Sequence, residues 1–175
     1  GTPDPILSHI VTCGKTDPIE GVVVEDYSTE REMLIGFRDL VAGVDPDMII
    51  GFNINKFDWK YLAHRARILG VDGFFRLGRK WGQLCKFNMA TFDSKARGLR
   101  DDSIIPTPGR MQMDIHVVYK NERTRENLYS LNALSAKYLK DAKLDVSPEQ
   151  ITSKWYSGDP AQRAEVASYC VKDCE

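Results

Sequence analysis

No apolar run in the 175-residue chain approaches the roughly 20 residues that a membrane-spanning helix needs. A surplus of charge is missing as well. The formal net charge of −1 excludes a protein that coats nucleic acid by bulk charge, so any such contact has to be local. Cysteine is sparse: Cys13, Cys85, Cys170 and Cys174 form no C-x-x-C pair, and no His is spaced to complete a zinc site. Cys170 and Cys174 share a helix face, and all four are expected to be buried, reduced thiols in an intracellular compartment. The start, Gly1-Thr2-Pro3-Asp4-Pro5, lacks the basic and apolar parts of a signal peptide and has no initiating Met. It is therefore expected to begin partway into a longer protein. Repeats and low-complexity segments are absent too. What remains, 42% hydrophobic and 28% charged residues, is the balance of one globular domain.

Within that domain the local patterns alternate. Ile6 to Val11 and Gly21 to Val24 are β-branched runs, read as strands with Lys15-Thr16-Asp17-Pro18 as the turn between them. Thr29 and Glu32 form a capping box ahead of a helix from about Glu30 to Val41, whose Met33, Leu34, Phe37, Leu40 and Val41 share one face. Met48-Ile49-Ile50-Gly51-Phe52 has the unbroken apolar character of a strand buried on both faces. A second helix is expected from Asn55 to Gly70, with Trp59, Leu62, Ala63, Ala66 and Leu69 on one side. Strand, helix and strand in this order predict an α/β layer fold. Residues 71–110 carry Gly and Pro throughout and read as a long insertion of loops or irregular hairpin. Met111 to Met113 then predict a strand and Asp114 the opening of a helix. Further helices are expected near Ser130 to Tyr138, Pro148 to Trp155 and Pro160 to Cys174, with prolines at two helix starts.

The chemistry concentrates in two places. In α/β sheets ligands bind beyond the carboxyl ends of strands, which is where Met48 to Phe52 delivers Asn53 and Asp58. In the first turn of the next helix, Asp58 meets unpaired backbone N–H groups and the positive end of the helix dipole. A helix-start acid without further role is the competing reading. Near the end of the chain Tyr169 and Asp173 stand four residues apart on one helix, hence on one face. A carboxylate there can hold a divalent cation while a phenol one turn away positions water. A packed Tyr beside a solvated Asp is the alternative.

The segment Gly51-Phe52-Asn53-Ile54-Asn55-Lys56-Phe57-Asp58-Trp59-Lys60-Tyr61 resembles the second exonuclease motif of family B DNA polymerases, and Tyr169-Cys170-Val171-Lys172-Asp173 resembles their third. Val44 to Ile49, Gly109 to Asp114 and Ser130 to Ser135 are similar to segments of the eukaryotic polymerase delta type, including viral relatives. The resemblance implies an RNase H-like α/β fold, a mixed sheet with flanking helices, that removes the 3′-terminal nucleotide of DNA with two Mg²⁺ or Mn²⁺ ions. Carried over, Asp58 and Asp173 are metal carboxylates, Tyr169 orients the attacking water, and Asn53 and Phe57 lie near the terminal nucleotide. Asp114 matches a family Asp as well, for which a supporting or helix-cap role is expected. The implied partners are single-stranded DNA and a polymerase domain beyond residue 175, without a membrane. The implied location is the nucleus of a eukaryote, or a viral replication site.

One part of the family pattern is missing. No Asp-x-Glu precedes Asp58, and Asp4-Pro5-Ile6-Leu7 resembles the segment just after that first motif in relatives. The 175 residues are thus expected to be a partial exonuclease domain, truncated and lacking the first central strand. Weak metal affinity, near-background turnover and either abnormal strand pairing or a strand borrowed from a neighbouring copy are the expected consequences. A stand-alone exonuclease and a catalytically silent scaffold that binds DNA or a partner are the other readings. Seven Lys and Arg between Arg76 and Arg100, with Phe74, Phe75, Trp81, Phe87 and Phe92 nearby, suit single-stranded DNA; an excursion that packs its aromatics inward fits equally.

Overall fold

The computed structural model describes residues 7–80, 88–94, 98–121, 128–140 and 146–174, with backbone alone for 88–94 and 98–104. By its contacts the chain divides into two compact units, residues 1–33 with 126–175 and residues 34–125. Both combine strands with helices, the mixed α/β class the sequence predicts.

The first unit holds β1 (Ser8–Cys13) and β2 (Val22–Tyr27), paired in parallel with Ser8 opposite Val22 and Cys13 opposite Tyr27. Lys15 to Pro18 is therefore not a simple turn, because a parallel partner must start again at the far end of the first strand. Residues 14–21 reach at most about 28 Å, against about 20 Å for a six-residue strand, so the return is made without a helix. Buried polar groups fasten it: the Thr12 and Thr16 hydroxyls lie 2.9 Å apart, and the Thr16 N–H donates to Asp26 at 3.3 Å.

Helix α1 (Glu30–Val44) opens with the expected capping box: the Thr29 N–H donates to Glu32 Oε2 at 3.0 Å and the Glu32 N–H to Thr29 Oγ1 at 3.2 Å. It runs three residues past the expected end. Leu34 is its buried apolar anchor, with Phe37 and Val41 packed on the same core.

In the second unit β3 (Met48–Gly51) pairs in parallel with β6 (Met111–Asp114). Helix α2 (Asp58–Ile68) follows β3 and buries Trp59, Ala63 and Ala66. The expectation of a strand covered on both faces fails, since Ile50 is 56% exposed. Ile49 turns into the core and Ile50, one residue on, faces away, as the period of a strand requires.

The described parts of 71–110 hold a core segment and a hairpin. A 3₁₀ turn at Asp72–Phe75 buries Phe74 and Phe75, and Val71, Leu77 and Ile105 join them around Trp59 and Leu34. Between these core segments β4 (Asn88–Ser94) and β5 (Gly98–Ile104) form a regular antiparallel pair. Trp81 and Phe87 lie outside the described residues, as do Lys86, Lys95 and Arg97, and for Phe92 and Arg100 only backbone is described.

An ionic clasp closes the base of this excursion at the start of β3. Arg79 donates to Asp45 Oδ1 at 2.8 Å and Asp47 Oδ1 at 2.7 Å, while Arg110, nearly buried, donates to Asp45 Oδ1 at 2.6 Å and to the Leu77 carbonyl at 2.9 Å. The Arg79 N–H also donates to the Pro108 carbonyl at 2.8 Å.

After β6 come α3 (Ile115–Asn121) and α4 (Leu131–Leu134), the latter continuing into a wider turn over Ser135–Leu139 that stops at left-handed Lys140. Helix α5 (Pro148–Tyr156) carries a capping box between Ser147 and Gln150, and α6 (Pro160–Cys174) ends the chain. Burial on α6 is confined to Val166 and Ala167, and the last turns extend past it. Cys170 and Cys174 are accordingly exposed and Cys13 is half-buried, against the expectation of buried thiols; Cys85 lies outside the described residues.

Candidate functional site

Asp114 organises the loop that the sequence singles out. It ends β6 opposite Gly51, it is only 6% exposed, and three backbone donors converge on its carboxylate. The Asn53 N–H donates to Oδ1 at 2.8 Å, the Asn55 N–H to Oδ2 at 3.1 Å and the His116 N–H to Oδ1 at 3.1 Å. A buried carboxylate supplied with three N–H groups keeps its hydrogen-bonding demand met while tying the loop after β3 to the start of α3.

The loop needs such a tie because its backbone is unusual. Asn53 has φ +61°, a left-handed conformation that Asn tolerates better than most residues. A side chain on Gly51 would place its Cβ 2.3 Å from a methyl of Ile54, so only glycine lets the turn fold back this tightly. The Lys56 and Phe57 N–H groups both donate to the Asn53 carbonyl, at 3.2 and 3.3 Å, winding the chain toward α2.

Helix α2 starts at Asp58, three residues later than the sequence suggests, because the Asn53 to Phe57 turn occupies the interval. Asp58 still lies in the first turn. It is exposed as a residue, yet protein packed around the carboxyl raises its pKa by desolvation, and the Asp114 charge adds to the rise against a backbone hydrogen bond at Asp58 that lowers it. A cation beside this group would relieve both costs. Phe57, 59% exposed, presents its ring with the Lys56 ammonium 5.5 Å from the centroid. Trp59, the next residue along the helix, is buried and pins it to the core.

One unit thus carries Asn53, Phe57 and Asp58 on the segment between β3 and α2 that Asp114 ties down. The other unit carries Tyr169 and Asp173 on α6, one turn apart and both partly exposed. Oxygen donors such as Asp58 and Asp173 suit Mg²⁺ or Mn²⁺. Among the described residues no three His, Cys, Asp or Glu side chains stand together as a metal-holding group. The donor chemistry fits a hard cation, although the number of donors brought together among the described residues falls short of a complete two-metal set. The helix-cap role expected of Asp114 appears in its bond from the His116 N–H, whereas the donors from Asn53 and Asn55 escaped the sequence, since 61 and 59 residues separate them from Asp114. Its position directly after a predicted strand was the available signal.

Comparison with known proteins bears on the same segments. Residues 1–134 match the family described as DNA polymerase family B, exonuclease domain. The chain belongs to that family. This exonuclease-domain chain is also 38% identical over 174 residues to the DNA polymerase delta catalytic subunit of Arabidopsis thaliana, covering 99% of the chain and 16% of that protein. The corresponding subunits of Oryza sativa and Bos taurus are each 36% identical, with the same coverage. The chain therefore spans about one sixth of the length of these relatives. The family match includes the Asp114-centred loop, and the similarity to the delta subunits extends through α6, so the resemblance drawn from the two motifs holds.

Proposed function

We propose that the chain is part of a 3′–5′ proofreading exonuclease domain of RNase H-like fold, working on the 3′ end of single-stranded DNA within a longer DNA polymerase. The observation that carries this reading is the Asp114-held loop, which presents Asn53, Phe57 and Asp58 at the carboxyl end of β3 in a chain of this family. Asp58 and Asp173 would hold Mg²⁺ or Mn²⁺. Bound there, the ions supply activation of water and stabilisation of the leaving oxygen.

The remaining tasks fall to side chains of this chain. The Tyr169 hydroxyl orients the water that attacks the terminal phosphodiester, accepting or donating one hydrogen bond as the water turns. The exposed Phe57 ring supports the terminal base by stacking, and Asn53 hydrogen-bonds the terminal nucleotide. The polymerase domain is a partner in the parent chain, and a eukaryotic source places the work in the nucleus.

Nuclease turnover by the 175 residues alone is low in this reading, because two-metal hydrolysis needs several converging carboxylates and no Asp-x-Glu precedes Asp58 in the sequence. The paired strands stand in two-stranded sheets among the described residues, so their outer edges invite strand exchange between copies.

Titration of the chain with Mn²⁺, followed by paramagnetic broadening of its amide resonances, tests the metal assignment. Broadening that starts at Asp58 and Asp173 is the expected result, and its absence at both sinks the reading. Vigorous Mg²⁺-dependent trimming of single-stranded DNA, lost on Asp173→Ala, would overturn the low turnover and keep the site.

A further inference from the structure

In the first unit α6 is stitched to the β1–β2 connection near its start. The Arg163 Nε donates to the Lys15 carbonyl at 2.9 Å, one of its terminal nitrogens donates to the Gly158 carbonyl at 3.1 Å, and the Asp17 N–H donates to the Pro160 carbonyl at 3.2 Å. The guanidinium lies flat against Gly14, where a Cβ would stand 3.2 Å from its central carbon. Gly14 has φ +94° and its own N–H donates to the Tyr27 carbonyl at 2.8 Å, so the surface under Arg163 is anchored in the parallel strand pair.

From this geometry we infer that Arg163, seated on Gly14, is a positioning residue that sets the rotation of α6 and thereby the placement of Tyr169 and Asp173. The inference rests on the reading of those two residues as part of the nuclease site. Arg163 precedes them by six and ten residues on one continuous helix, about 9 and 15 Å along the axis at 1.5 Å per residue. Side chains sit about 5 to 6 Å from that axis, so a turn of about 10° displaces them by about 1 Å. A misplacement of about that size is enough to cost a reaction about a hundredfold. Val166 and Ala167, both small, are the fully buried residues of α6, and its side-chain tie from Glu165 to Lys154 of α5 is exposed, so a directional contact near the start of the helix helps to fix its rotation. The forked donors of an arginine, held by two carbonyls, supply that direction.

The test uses the 175-residue chain and reads position rather than activity. Arg163→Met is expected to shift the amide resonances of Tyr169 and Asp173 as well as those of residues 14–17, and Arg163→Lys, which keeps one donor, to produce smaller shifts at the same positions. Gly14→Ala crowds the guanidinium from the other side while leaving Arg163 intact, and it also strains the connection at φ +94°, so it should reproduce the displacement at Tyr169 and Asp173 together with larger shifts at residues 14–17. Melting temperature is followed in parallel, and the comparison is made among variants that melt as the parent does. Shifts confined to residues 14–17 and 158–163 in Arg163→Lys and Gly14→Ala would overturn the inference, leaving Arg163 a local surface tie. A chain that binds Mn²⁺ at neither Asp58 nor Asp173 would refute the functional reading without touching this result.

Discussion

The two units hold their candidate residues by different means. Among the described residues of the unit formed by residues 34–125, nine buried apolar ones, from Leu34 and Trp59 to Phe74 and Ile105, form one core, and Asp58 leaves that core directly beside Trp59. In the other, buried apolar residues among those described are Leu134, Val166 and Ala167, while Thr12 and Thr16 are buried as a hydrogen-bonded pair. Asp58 is therefore placed by packing and by a long-range carboxylate, whereas Tyr169 and Asp173 are placed by helix spacing and by polar stitches. Packing tolerates small losses of direction, but polar stitches do not.

The largest test of that contrast is Phe74→Ala. Phe74 is fully buried between Phe37 and Phe75, and its truncation is expected to cost about 3–5 kcal/mol. Val166→Ala removes two methyls from the thinner packing of α6 and should cost about 1.5 kcal/mol. Denaturant melts of the two variants check the order. A greater loss for Val166→Ala would break the comparison.

Next in size is Asp114→Ala, which leaves three backbone N–H groups without their acceptor. A loss on the order of 2–3 kcal/mol is expected, with faster hydrogen exchange at Asn53, Asn55 and His116 before any other amides of the unit. Uniform acceleration across the unit would mean that Asp114 acts through the core rather than through the loop.

The smallest effect concerns acid. Hydrogen bonds from Arg79 and then Arg110 hold the Asp45 carboxyl below the ordinary value of 3.8. A carboxyl whose pKa is lowered by folding stabilises the fold above its ordinary value and loses that contribution as pH falls through the lowered one. The clasp at the start of β3 should therefore weaken as pH drops below 3.8, and Asp45→Asn should remove that part of the acid sensitivity. Melting temperature measured across this range distinguishes the two proteins, and identical pH profiles would count against the clasp.

Much of the organisation was legible along the chain. The capping box at Thr29, the helix starting at Pro148, the helix containing Tyr169 and Asp173, and the strand starting at Met48 all appear where short-range patterns put them. Within 71–110 the hairpin alternative appears as the β4–β5 pair and the inward alternative at Phe74 and Phe75, but Gly and Pro conceal along the chain which aromatics turn inward. Helix α2 began late for a related reason, since the left-handed Asn53 consumes a turn that helical periodicity cannot anticipate.

By itself, then, the sequence determined the family and the two motifs, because residue type and spacing carry both, and it determined most elements, because caps and periodicity act within a few residues. Tertiary structure decided the parallel pairing of β1 with β2, the three N–H groups gathered by Asp114 and the seat of Arg163 on Gly14. Those depend on groups as many as 148 residues apart in the chain, whose meeting is set by the chain as a whole.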